Sequence, residues 1–101
     1  MYTHWACFDC RKAFSKEASD NSRKCPDCGM PMTDMGSYFE PPRKAALKRW
    51  RVMKLLSDNE FRFNTKDAKA FIEGRILVVR NPRLADVIER IEEERRREEG
   101  L

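Results

Sequence analysis

Four cysteines, Cys7, Cys10, Cys25 and Cys28, form two Cys-x-x-Cys pairs with fourteen residues between them, and they are the only cysteines in the chain. Thiolates are soft ligands and good nucleophiles, so the cluster points to a metal site, a redox dithiol or a pair of disulfides. A redox dithiol of the thioredoxin kind needs a βαβ setting around one pair, and neither pair has one. Disulfides are rare where thiols are kept reduced, and the start MYTHWACFDC shows neither the basic end nor the long apolar run of a secretory signal. Metal ligation fits best. Two intervening residues let both sulfurs of a tight turn face one ion, and a second pair completes a tetrahedron with arms of about 2.3 Å. Zinc suits four thiolates, as does iron in an electron carrier. A closed set of four ligands leaves no position for water, which predicts one structural Zn²⁺ rather than a catalytic one.

In the second pair, Pro26 fixes the entry of the turn and Gly29 permits the positive φ that follows the second ligand; in the first pair, Arg11 stands where that glycine is expected. On Cys7, Cys10, Cys25, Cys28 and the Pro26/Gly29 pair, roughly residues 3–36 resemble a zinc ribbon of the rubredoxin-like knuckle type. The resemblance implies two short β-hairpins, each presenting a knuckle, clamped by one Zn²⁺. It implies no particular activity, since ribbons occur in transcription factors, ribosomal proteins, nucleases and adaptors. It also weighs against iron, because iron rubredoxins typically have a longer gap between knuckles and a small residue with glycine after each pair. His4, three residues before Cys7, reads as a partly exposed imidazole, since four thiolates already close the site.

The formal charge of +4 is unevenly spread: residues 37–70 carry nine basic and four acidic side chains, whereas the segments on either side are nearly balanced. Four thiolates with Zn²⁺ sum to −2, which lowers the loaded chain to about +2. Arg11, Lys12, Arg23 and Lys24 flank the pairs and either offset that negative charge or reach a phosphate backbone.

After the Pro- and Gly-punctuated linker GMPMTDMGSYFEPP, the stretch RKAALKRWRVMKLLS reads as an amphipathic helix opened by prolines. Ala45, Ala46, Trp50, Val52, Met53 and Leu56 fall on one stripe, and Arg43, Lys44, Lys48, Arg51 and Lys54 fall opposite. Arg49 lies within the apolar stripe and must snorkel or find a partner. A cationic face without an acidic residue is the footprint of a nucleic-acid contact, or of an acidic protein partner.

Further along, Asn64 or Thr65 caps a short helix ending at Gly74, and RILVVRNP reads as one buried strand that pairs with Phe61–Phe63. Pro82 opens a last helix with Leu84, Val87, Ile88 and Ile91 at helical spacing, too few apolar heptads for a coiled coil.

The expected fold class is small α+β: a zinc ribbon of β-hairpins over residues 1–36, then a mainly helical part over residues 37–101, packed with the ribbon or extending from it. No apolar run is long enough to span a bilayer, and the chain is expected in the cytoplasm. No phosphate loop and no nucleophile with a plausible base is present, so an enzyme is not expected. The reading is a small regulator that binds nucleic acid, DNA rather than RNA, through the basic helix. The alternative is an adaptor or inhibitor that docks an acidic surface of a larger enzyme.

Overall fold

A computed structural model describes residues 2–19 and 21–100 of the chain. Three strands, β1 (Tyr2–Cys7), β2 (Lys12–Glu17) and β3 (Thr33–Gly36), form an antiparallel sheet in the order β2-β1-β3. Strand alternation sends Thr3, Trp5 and Cys7 to one face of β1 and His4 and Ala6 to the other. Both faces are covered. Trp5 and Cys7 pack with Cys25 and Met32, while Ala6 belongs to the core made with the helices.

Registers Trp5↔Phe14 and Cys7↔Lys12 align β1 with β2, so the turn between them is the first knuckle. Pairing of β1 with β3 contains an irregularity between His4 and Trp5, which face Gly36 and Asp34. The extra residue opposite, Met35, is fully buried among the helices. Strand β3 lies inside the stretch expected to be a linker; its four residues are too short and too polar in sequence to announce a strand. Gly36 has φ +95°, and a Cβ there would lie 2.4 Å from the carbonyl carbon of Phe63, so only glycine fits this crossing.

Helix α1 spans Leu47–Asp58 and begins four residues later than expected, so Pro41 and Pro42 do not open it. Residues 43–46 turn instead, with Ala46 N–H bonded to Arg43 O and Leu47 N–H to Ala45 O, both at 2.9 Å. Ala46 (φ −81°, ψ 66°) thus centres an inverse γ-turn, and the Trp50 indole donates to Arg43 O at 2.9 Å, which fixes it. The expected apolar stripe holds for Trp50, Val52, Met53 and Leu56, all buried, while Ala45 is exposed.

Helix α2 (Lys66–Phe71) is capped by the Thr65 hydroxyl, which accepts from Ala68 N–H, and continues into a π-helical turn, Ile72–Leu77. Here the expected strand fails. Ile72 and Ile76 stand one turn apart and bury fully in the helical core, and Phe61–Phe63, the strand's supposed partner, lies elsewhere: Phe63 N–H bonds to Met35 O and Phe63 O accepts from Tyr38 N–H, both at 2.8 Å. The π turn ends at Val78, at φ +62° and ψ −48°, with Val79 N–H on Leu77 O at 2.6 Å; this is the rare, strained positive-φ γ-turn. Arg90 of helix α3 (Leu84–Glu99) donates to Ile76 O and Leu77 O at 3.1 and 3.0 Å, satisfying carbonyls at the end of that turn. Val87 and Ile91 bury α3, whereas Leu84 and Ile88 remain partly open.

Candidate metal centre and basic surfaces

The first knuckle closes β1 onto β2, and Arg11 takes φ +57° there, doing without help the left-handed turn that Gly29 (φ +76°) makes in the second. The second knuckle stands on a single bridge, Lys24↔Pro31, rather than on a full hairpin. Lys12 and Asp27 form an ion pair that ties one knuckle to the other.

All four sulfurs lie within 4.8 Å of one another. Cys7 and Cys28 are 3.6 Å apart and Cys10 and Cys25 4.0 Å. A tetrahedron with metal–sulfur arms of about 2.3 Å has edges of about 3.8 Å. The geometry therefore fits one tetrahedral ion, and the separations are far from the roughly 2 Å of a disulfide. Cys10 N–H points to Cys7 Sγ at 3.4 Å, so backbone donors already face the sulfurs.

As protonated groups, the thiols divide. Burial pushes Cys7 up; its hydrogen bond with Cys28, then burial, pushes Cys10 up to about 12. Burial raises Cys25 as well, but the backbone N–H groups of Asp27 and Cys28 outweigh it and bring Cys25 down to about 7. An ion that displaces the protons finds a ligand set already gathered. His4 stands apart from the four, half-buried, with Nδ1 3.3 Å from Gly36 O and its ring beside Phe39.

Comparisons of the chain with protein-family models, with curated proteins and with solved structures find no match. The four-cysteine cluster on an N-terminal hairpin is compatible with a zinc ribbon, and it can hold one metal ion.

The basic residues sort into three groups. Lys12 is engaged with Asp27, and Arg23 donates to Glu17 O through Nε and Nη2 at 3.2 and 2.9 Å, with its guanidinium 5.6 Å from the Trp5 ring centre. Lys24 is exposed beside the second knuckle. The cations of α1 part to two flanks. Arg51 and Lys54 meet Arg11 around a hollow of about 230 Å³ that also involves Phe8, Leu47 and Trp50. Phe8 and Trp50 meet edge to face there, with ring centres 6.1 Å apart, and Arg11 Nε is buried without a hydrogen-bond partner. Lys48 lies on the other flank, with Arg49 and Arg80, in a groove between α1 and residues 77–82. Arg43 joins Arg49 and Arg80 in the adjoining hollow, and Lys44 is exposed ahead of the helix.

Phe8 and Arg80 were not legible as parts of a surface, because only the packing of the knuckle and of the 77–82 segment against α1 puts them there. Among the described residues no helix is long and apolar enough to cross a membrane.

Proposed function

We propose that the chain is a non-enzymatic zinc protein, a small regulator that binds nucleic acid where the first knuckle meets α1. The four thiolates would hold one Zn²⁺ as a closed structural ion, which braces the knuckle that carries Arg11. The observation that carries the reading is the meeting of Arg11 from the knuckle with Arg51 and Lys54 from the helix around a hollow lined by no carboxylate, although Lys54 also makes an exposed pair with Asp58 at 3.4 Å. Cations gathered from two elements, one of them metal-braced, make a fixed phosphate-binding surface. Duplex DNA is the favoured form, because of the two rings at this hollow Trp50 is buried and Phe8 packs edge to face against it, which leaves little open ring face there for stacking single-stranded bases.

Fluorescence anisotropy of zinc-loaded protein with labelled duplex DNA, single-stranded DNA and RNA tests this across salt concentrations. Three phosphate contacts predict a slope of log K on log salt of about −2.7 for duplex. Charge reversal of Arg51 and Lys54 together should flatten it to about −0.9. Absence of binding at low salt would sink the reading.

A further inference from the structure

We propose that the groove between α1 and residues 77–82 is a docking site for an acidic, amphipathic segment of a partner protein. This site lies on the other flank of α1 from the proposed nucleic-acid surface, the two meeting at Leu47. The groove encloses about 540 Å³, with Ala46, Val52, Met53, Leu77 and Pro82 in its lining. This volume and apolar lining would accept two or three aliphatic or aromatic anchors, and Met53 can adapt its shape to them. The charged residues of the lining are all cationic, Lys48, Arg49 and Arg80, with Asn81 the one neutral polar side chain. Arg49 and Arg80 also line the adjoining hollow with Arg43, where Glu40 is the single carboxylate.

Glu73 lines a second adjoining hollow with Arg49 and Arg80, and both carboxylates are already paired with Lys69. The rim therefore presents positive charge around an apolar floor, and the occupant that complements both is a helix or extended segment with apolar anchors in an Asp/Glu background. A nucleic-acid backbone would satisfy the rim and leave the floor unfilled. Between Leu77 and Arg80, two residues of the lining, the chain passes through the strained turn at Val78, with Val78 and Val79 more than half exposed. Strain of this kind persists where the surrounding structure imposes it and gathers at ligand clamps.

The test uses the full zinc-loaded chain and a fluorescein-labelled synthetic peptide rich in Asp and Glu, with Leu and Phe at helical spacing. Binding is expected in the micromolar range, weakened about tenfold by Arg80→Glu or, independently, by Lys48→Glu. It should be lost when the Leu and Phe of the peptide are replaced by Ser, and unchanged when Arg51 and Lys54 are reversed. Circular dichroism and melting confirm that each variant is folded; both rim residues are exposed. Ala45→Trp, at an exposed lining position, should obstruct the groove without touching the core. No binding at about 0.1 mM peptide would overturn the proposal. So would equal binding of the Ser peptide, binding that responds to Arg51 and Lys54 instead of the rim, or displacement of the peptide by duplex DNA from the Arg51/Lys54 variant. Because the two surfaces are read by different variants, failure here leaves the nucleic-acid reading standing, and the reverse also holds.

Discussion

Removing the metal should melt the second knuckle while the helical half stays folded. Residues 22–32 contribute two well-buried side chains, Cys25 and Met32, and are held by Cys25 N–H to Met30 O, Gly29 N–H to Cys25 O and Met32 N–H to Arg23 O. At about 1.5–3 kcal/mol for each side chain and about 1 for each hydrogen bond, these supply roughly 6–9 kcal/mol. Ordering these eleven backbone residues costs about 11–22 kcal/mol. The shortfall centres near about 9 kcal/mol, close to the roughly 10–16 kcal/mol that a structural zinc contributes. The helical core has no cysteine in it: Met35, Leu56, Ile72, Ile76 and Val87 are fully buried by one another and their neighbours. Hydrogen exchange read by mass spectrometry, with and without a strong chelator at neutral pH, separates the two parts. Fast exchange is expected across residues 21–32 and the first knuckle, with protection retained in residues 50–56 and 87–91. Trp5, packed against Cys7 and Cys25, should shift its emission, while Trp50 should not. Protection of residues 21–32 that survives chelation would refute the reasoning, and so would its loss throughout α1 and α3.

Gly36→Ala forces a Cβ into the Phe63 backbone at a positive φ and should cost about 3 kcal/mol, seen as a lowered urea midpoint. Arg11→Gly relieves a left-handed arginine and should stabilise the loaded protein by about 1 kcal/mol while reducing the salt slope for duplex DNA by about 0.9; thermal melting and anisotropy on the same sample check both. Arg90→Ala removes the charged donor from Ile76 O and Leu77 O and should cost about 1–3 kcal/mol in chemical denaturation. The Lys69 ammonium holds the Glu40 carboxyl below its ordinary value, and Glu40 in turn holds Lys69 above its own. Their contribution is present above the unfolded carboxyl pKa and below the unfolded lysine pKa. It fades as pH falls through the lowered value or rises through the raised one. Lys69→Met should flatten the acid limb of stability against pH, and an unchanged limb would show that the pair contributes nothing.

The gathering of the four cysteines was legible because it depends on spacing along a few residues, and so was the capped start of α2 at Thr65. The stripe of α1 was legible too, but its start was not: nothing local in RKAA shows that the Trp50 indole will hold Arg43 O and spend two alanines in a turn. RILVV misled for a related reason. β-branched residues favour a strand only if a partner edge exists, and the backbone of Phe63 is already bonded to Met35 and Tyr38. Strand β3 is the converse, a polar tetrapeptide made into a strand by the edge of β1. The single basic face read from the helix became two flanks, because the knuckle covers one side of α1 and residues 77–82 the other.

Strand β1 writes two messages in adjacent residues, Trp5 and Cys7 toward the sulfurs and Ala6 toward the helices. Insertion of one residue between Trp5 and Ala6 would exchange the two readings, carrying Ala6 to the sulfurs and Cys7 into the helical core. Descendants of this sequence should therefore vary freely in the length of the stretch between Glu17 and Arg23, while the distance from Trp5 to Cys7 stays frozen at two.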